Sequence, residues 1–104
     1  IEIDIVLDNL VSNSVKANAK KIMVEFSISN NKLEIYYYDD GIGVTDLLSK
    51  NPNSIFELGV RDSKEKGSGI GMFDAKKRIT NLKGTIEFMG NNKKLKGASF
   101  KIIL

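Results

Sequence analysis

The segment VRDSKEKGSGIGMFDAKKRI, residues 60–79, decides the interpretation of this 104-residue chain. It places Gly67, Gly69 and Gly71 within five positions, between a run of charged residues and an amphipathic pattern. Glycines at the start of a helix let the backbone turn tightly and bring free N–H groups close to a ligand, and the helix N-terminus adds partial positive charge. This combination favours phosphate binding, although similar glycine-rich turns also serve as simple entries to helices.

The composition indicates one small domain, since 104 residues with 41% apolar content suffice for a single core. The net charge is only +3 and the basic residues are scattered, so we expect no nucleic acid partner. The absence of cysteine excludes disulfides and favours a cytoplasmic location. No apolar run is long enough to span a membrane, and we expect no membrane contact by this domain. The chain begins at Ile1 within a helical pattern, so we expect a domain excised from a longer protein. Histidine is also absent, which removes the commonest general base and any phosphohistidine.

The apolar pattern predicts a fold of two helices and two hairpins. Ile1, Ile5, Leu10, Val11 and Val15 recur at helical spacing and predict an amphipathic helix over about 2–18. Alternating segments predict a hairpin over 20–39 with its turn at residues 30–31, and a second hairpin from segments 84–90 and 97–104. A second helix is predicted over 70–82, and short helical turns over 45–50 and 54–58. This order predicts an α+β two-layer sandwich, with helices on one face of a mixed, mainly antiparallel sheet.

A second pair of glycines follows the predicted strand LEIYYY, in the segment YDDGIGV. An ionised Asp39 carboxylate that points into a pocket accepts hydrogen bonds only, so it needs a donor, and the exocyclic amine of a purine would serve. Gly41 and Gly43 would let a flat ring lie against the backbone. The alternative is an ordinary turn that Asp39 caps.

Three polar residues of the first helix form a third candidate element. Asn9, Asn13 and Lys16 are spaced by four and three residues, so they project from one side of the helix. Amide oxygens suit Mg²⁺, which is commonly shared with substrate phosphates, and a lysine supplies a point charge for those phosphates. The alternative is a solvated polar face.

Four ordered segments resemble the motifs of the GHKL superfamily, the ATP-binding fold of gyrase, its related heat-shock chaperone, sensor histidine kinases and mismatch-repair ATPases. They are NLVSNSVKA (9–17), DDGIG (39–43), SIFELGV (54–60) and GSGIGM (67–72). The resemblance covers nearly the whole chain. It implies a Bergerat ATP-binding fold in a single domain over 1–104, ATP or ADP with Mg²⁺ as ligands, and a flexible lid over about 44–68.

The resemblance also implies roles for individual residues. Asn13 would bind Mg²⁺, Asn9 and Lys16 would act near the metal and phosphates, and Asp39 would accept a hydrogen bond from the adenine amine. The other nucleotide-binding residues would be Gly41 and Gly43 at the base, Gly67, Ser68, Gly69, Ile70, Gly71 and Met72 at the triphosphate, Arg61, Ser63 and Lys64 in the lid, and Ser99.

The position of Asn9 separates two branches of the superfamily. Hydrolytic members place a glutamate four residues before the metal-binding asparagine, and an amide cannot act as a general base there. Asp8 points about 140° away from Asn13 on a helix. The pattern is instead similar to that of sensor histidine kinases, in which a histidine on another domain or partner accepts the phosphoryl group, and the parent could be a homodimer. The alternatives are a GHKL ATPase, an ATP-gated conformational module, or an adaptor that uses the basic segment AKKRITNLK without nucleotide.

Overall fold

The computed structural model describes residues 2–42, 55–56 and 70–104. In chain order the elements are α1 (Glu2–Lys16), β1 (Ile22–Ser29), β2 (Lys32–Asp39), α2 (Ile70–Asn81), β3 (Thr85–Asn91) and β4 (Ala98–Ile103). They confirm the predicted order of helix, hairpin, helix and hairpin. The helical turn predicted over 45–50 lies outside the described residues, as does all of the turn predicted over 54–58 except Ile55 and Phe56.

The described strands form one sheet in the order β1-β2-β4-β3. Every pair of neighbours is antiparallel, so the described part of the sheet has none of the parallel pairing that a mixed sheet would contain. The first hairpin turns at Asn30 and Asn31, whose φ angles are 53° and 63°. Two successive positive φ angles define the tight hairpin turn that asparagine tolerates. Pairing of β2 with β4 then joins the two hairpins into one sheet.

Both helices contribute to a core on one face of the sheet, which confirms the α+β two-layer architecture. Along β2, Ile35 and Tyr37 are buried, whereas Tyr36 and Tyr38 on the opposite face are partly exposed. Aromatic rings at the centre of the core pack edge to face. The core comprises Val6, Leu10, Ile35, Tyr37, Ile55, Phe56, Met72, Ala75, Ile79, Ile86, Phe88, Phe100 and Ile102.

The buried face of α1 differs from the predicted apolar stripe. Leu10 is buried as expected, but Ile5, Val11 and Val15 are exposed by 37%, 41% and 65%. The core side of the helix instead runs through Val6, Leu10 and Ser14, spaced four residues apart. The prediction was wrong because a buried serine occupies a position on the core face that apolar periodicity assigns to a hydrophobic residue.

Candidate functional site

The Asp39 carboxylate lies at the end of β2 and is almost completely buried, with 3% of the residue exposed. Its Oδ1 atom accepts hydrogen bonds from the backbone N–H groups of Gly41 (3.0 Å) and Ala98 (2.9 Å). Its Oδ2 atom accepts one from the Ser14 hydroxyl at 2.7 Å. Two carboxylate oxygens together offer about four acceptor positions. Three protein donors therefore hold the group in place and leave acceptor capacity for one further donor.

The Ser14 hydroxyl also contacts Tyr37, whose hydroxyl oxygen is 2.7 Å from Ser14 Oγ. A serine has one hydroxyl hydrogen, and the acceptor-only carboxylate of Asp39 takes it. Tyr37 must therefore donate to Ser14, so the buried chain runs from Tyr37 through Ser14 to Asp39. Burial, with a smaller contribution from the charge of Asp39, raises the pKa of Tyr37 to about 12. Tyr37 thus remains a donor over the whole physiological pH range.

The connection between β3 and β4 supports Asp39 from its other side. The Gly97 N–H donates to the Asp39 carbonyl at 2.9 Å. A Cβ atom on Gly97 would lie 2.5 Å from that carbonyl oxygen and 2.6 Å from the Gly41 nitrogen, so no side chain fits there. The Asn92 amide nitrogen donates to the carbonyls of Asp39, Gly97 and Ala98, and its oxygen accepts two backbone N–H groups of the same connection.

The backbone after Asp39 packs against the end of α1. The Ile42 N–H donates to the Ala17 carbonyl at 2.9 Å. A Cβ atom on Gly41 would lie 2.8 Å from both Ala17 Cβ and the Ala17 carbonyl oxygen. The glycine predicted to shape a base pocket is therefore required for close packing of this segment on α1.

Asp40 has a different environment from its neighbour Asp39. Its Oδ1 accepts the backbone N–H groups of Lys20 at 2.7 Å and Lys21 at 2.9 Å. The hydrogen bonds from Lys21 and Lys20 hold the pKa of Asp40 below its usual value. This carboxylate orders the turn between α1 and β1 and points away from the Ser14 side of the sheet.

Asn9 links α1 to the beginning of α2. Its amide nitrogen donates to Asp74 Oδ2 at 3.3 Å, and the same oxygen accepts the Arg78 Nε–H at 2.7 Å. The Arg78 hydrogen bond, with a smaller contribution from Asn9, lowers the pKa of Asp74. Because a carboxylate accepts only, the NH₂ group of Asn9 must face Asp74, and its oxygen is turned away. That oxygen lies 3.9 Å from the position of a Cβ atom on Gly71, so the structure brings Asn9 to the first turn of α2.

Asn13 and Lys16 lie on α1 in the same polar region as Asn9. Asn13 is partly exposed and Lys16 is exposed, so neither is committed to the core. The described residues contain no group of three or more histidine, cysteine, aspartate or glutamate side chains that could hold a metal ion. An amide oxygen combined with water and phosphate oxygens is a donor set that suits Mg²⁺ without such a group. The residues present therefore fit a magnesium ion that arrives with a nucleotide.

Met72 and Ser99 lie apart from this arrangement. Met72 is buried in the core, with 3% exposed, so it could meet a nucleotide only through its backbone. Ser99 pairs with Tyr38, and its hydroxyl donates to the Gly90 carbonyl at 2.9 Å. Alternation along the strands places it on the sheet face opposite to Asp39, and its role in nucleotide binding stays a prediction.

The remaining predicted site residues lie at the beginning of α2 or outside the described residues. Ile70 begins α2. Gly43, Arg61, Ser63, Lys64, Gly67, Ser68 and Gly69, together with the lid predicted over about 44–68 apart from Ile55 and Phe56, lie outside the described residues.

Sequence reasoning missed five residues that the structure places at the site. Ser14 and Tyr37 lie inside segments read as helix and strand, and nothing in their spacing indicates a polar pair. Asp74 and Asn92 act through tertiary contacts between distant segments. Gly97 could have been predicted from the sequence, because a glycine at a strand often marks a close approach of two backbone segments.

The described elements form an α+β domain, and comparison with known proteins identifies its family. The family model described as histidine kinase-, DNA gyrase B- and HSP90-like ATPase matches residues 1–104. The chain belongs to this family and is an ATP-binding domain of the GHKL type.

Structural comparison agrees with the family assignment at the level of the fold. The chain is similar to the structure of a mycobacterial sensor histidine kinase, MprB, with a TM-score of 0.78 and 20% sequence identity. The match covers 99% of this chain and 69% of the MprB chain. None of the curated proteins matched. Among the described helices, none is long and apolar enough to cross a membrane.

Proposed function

We propose that this domain holds Mg-ATP for phosphoryl transfer to a histidine on another domain or on a partner protein. The observation that carries the proposal is the Asp39 carboxylate, which is buried, held by three protein donors and able to accept one more. The 6-amino group of adenine is a donor of the required kind. A buried anion without a fourth donor would keep part of its desolvation cost, so binding of the base completes the site.

The other end of the nucleotide would meet the first turn of α2. Backbone N–H groups at a helix N-terminus favour negative charge, and Gly71 leaves this turn open beside Asn9. Asn13 would bind Mg²⁺, and Lys16 would balance phosphate charge. The chemistry that Mg²⁺ would supply when bound there is neutralisation of phosphate charge.

The choice of transfer over hydrolysis rests on the groups near Asn9. An amide cannot take a proton from water. Asp8 is exposed, and the Arg78 hydrogen bond that lowers the pKa of Asp74 also weakens that carboxylate as a base. The sequence contains no histidine, so the acceptor belongs to another domain or protein, in a parent that we place in the cytoplasm.

ATP hydrolysis is a second candidate function, and Asp74 is the observation that favours it. Its Oδ2 atom lies 3.3 Å from the Asn9 amide nitrogen, so a carboxylate of α2 is within hydrogen-bond distance of Asn9. A water molecule near the γ-phosphate could lose its proton to Asp74 if Arg78 moved away.

The proposal is tested by measuring ATP and ADP affinity for wild type, Asp39→Asn and Asp40→Asn. Asp39→Asn keeps one oxygen for the two backbone donors but replaces the other with an NH₂ group, which would face the adenine amine. We expect a loss of about 2 kcal/mol or more in binding free energy. The matched Asp40→Asn variant changes an exposed carboxylate and should leave affinity within about twofold. Equal affinities for all three proteins would remove Asp39 as the adenine anchor.

A further inference from the structure

We propose that Ser14, held by Tyr37, is a positioning residue that makes the site selective for 6-amino over 6-oxo purine nucleotides. The inference rests on the proposed function, because it assumes that the purine amine meets Asp39. Its basis is the buried chain from the Tyr37 hydroxyl through Ser14 to Asp39 Oδ2, with both oxygen–oxygen distances at 2.7 Å. Ser14 and Tyr37 are each 1% exposed.

The direction of the hydrogen bonds in this chain determines what the site offers a ligand. Asp39 accepts the only hydrogen of the Ser14 hydroxyl, and Tyr37 uses its own hydrogen on Ser14. No hydroxyl hydrogen of the chain remains for a ligand. The proposed site next to Asp39 Oδ2 is thus an acceptor, which pairs with an amine and repels a carbonyl oxygen.

Ser14 also restricts the rotation of the carboxylate. The two backbone donors on Oδ1 fix one oxygen, and the Ser14 hydroxyl fixes the other, so the plane of the group is determined. Without the serine oxygen, a water molecule could occupy its place and donate to both Asp39 and a 6-oxo group. The preference for an amine would then fall while the carboxylate itself remained.

The two hydroxyls allow this role to be separated from a structural one. Ser14→Ala leaves the buried Tyr37 hydroxyl without its acceptor, which lowers stability. Adding Tyr37→Phe removes that unpaired hydroxyl, so the double variant should recover much of the lost stability. The double variant still lacks the donor to Asp39, so nucleotide preference should not recover.

Two control variants remove hydroxyl groups close in sequence to Ser14 and Tyr37. Ser12→Ala removes an exposed hydroxyl from the same helix, two residues before Ser14. Tyr38→Phe removes a hydroxyl from the opposite face of the same strand, where Lys94 lies 4.8 Å from the ring centre. Neither control contacts Asp39 through its side chain, so both should keep wild-type preference.

The experiment measures the affinities of ADP and inosine diphosphate by calorimetry, with thermal unfolding of each variant alongside. We expect the ratio of the two affinities to fall about tenfold in Ser14→Ala and in the double variant, as for the loss of one hydrogen bond to a charged group. An unchanged ratio in the double variant, with wild type binding ADP, would overturn this inference and leave the proposed function intact. Failure of wild type to bind ADP would overturn both.

Discussion

At the residue scale, two adjacent aspartates of this chain show how environment assigns a role. Asp39 is buried and faces Ser14 across the helix–sheet interface, whereas Asp40 is turned to the backbone of the α1–β1 connection. Neighbouring residues of an extended chain point to opposite sides, so only one of the two can face the helices. We therefore propose Asp39 as the ligand site because it is buried and has spare acceptor capacity, whereas Asp40 caps a turn through two backbone donors.

Replacement of Asn13 by alanine should weaken the magnesium-dependent part of ATP binding. The amide oxygen is removed as a ligand, and we expect the affinity for Mg-ATP to fall about tenfold, the lower end of the range for changes around bound metals. Because Asn13 is partly exposed, the fold should persist. Titrations of wild type, Asn13→Ala and the control Ser12→Ala with and without Mg²⁺ test this. If Asn13→Ala keeps the full magnesium dependence, Asn13 is not a ligand.

The raised pKa of Tyr37 predicts a loss of stability at alkaline pH. The unfolded chain releases this proton near pH 10, whereas the folded protein holds it to a pKa of about 12. The unfolded state therefore binds fewer protons between these values, and the free energy of unfolding falls as pH rises through them. Below pH 10 the contribution is fully present. The difference between the folded-state and unfolded-state pKa values of Tyr37 corresponds to about 2 to 3 kcal/mol in the free energy of unfolding.

Urea unfolding of wild type and Tyr37→Phe from pH 8 to 12 measures the contribution of Tyr37 to the free energy of unfolding. Deprotonation of lysines affects both proteins alike and cancels in the comparison. The stability of wild type relative to Tyr37→Phe should decline between pH 10 and 12. A constant difference across that range would mean that Tyr37 titrates normally.

At the scale of elements, the connection between β3 and β4 acts as a support for the end of β2. Asn92 bridges the two sides of the connection and reaches the Asp39 carbonyl, while Gly97 lies directly against the Asp39 backbone. Residues of a connection that is distant in sequence thus fix the main chain of Asp39. The Ala98 N–H, at the first residue of β4, then reaches the carboxylate.

Gly97→Ala should reduce both stability and nucleotide affinity. The added Cβ would overlap the Asp39 carbonyl and the Gly41 nitrogen, which are backbone atoms and cannot move aside as a side chain would. We expect a loss of about 2 kcal/mol or more in the free energy of unfolding, and a parallel loss of ADP binding. Gly90→Ala is the matched control, because no atom lies within 4 Å of a Cβ there and its φ is +79°. Gly90→Ala should lower the free energy of unfolding by about 1 to 2 kcal/mol through backbone conformation alone, and ADP affinity should be retained.

At the scale of the whole molecule, the proposed phosphoryl transfer needs a histidine nucleophile from another domain or protein. Transfer requires a held nucleotide, neutralised charge and a nucleophile in line with the γ-phosphorus. In the proposed site, Asp39 and the first turn of α2 would hold the nucleotide. The full sequence contains no histidine that could accept the phosphoryl group.

We expect the chain by itself to hydrolyse labelled ATP very slowly. In the full-length parent, or with a histidine-bearing helical domain added, we expect label on histidine. The phosphohistidine is recognised because it is labile in acid and stable in base, and Asp39→Asn should abolish its formation. Asn9→Glu should raise hydrolysis by the chain, since it places a carboxylate one helical turn before Asn13. Rapid hydrolysis by the wild-type chain that is lost in Asp74→Asn or Asp8→Asn would instead support the hydrolytic function.

The order of elements and the identity of the fold were available from the sequence, because they depend on local patterns. Alternation, helical periodicity and the Asn30–Asn31 turn are properties of neighbouring residues, and they predicted the helices and hairpins that the structure contains. Asp39 was also identified from its position at a strand end before a glycine. The buried face of α1 was not predicted correctly, because Ser14 interrupts the apolar pattern on that face.

What only the tertiary structure decided is how Asp39 is held. Ser14, Gly97 and Asn92 lie 25, 58 and 53 residues from Asp39 in sequence and meet it only when the helix and the second hairpin pack on β2. Their residue types are ordinary for helices, strands and turns, so no local signal marks them. The sequence by itself determined that an anionic acceptor lies at the end of β2. The packing of distant elements determined which donors it keeps and how much acceptor capacity remains for a ligand.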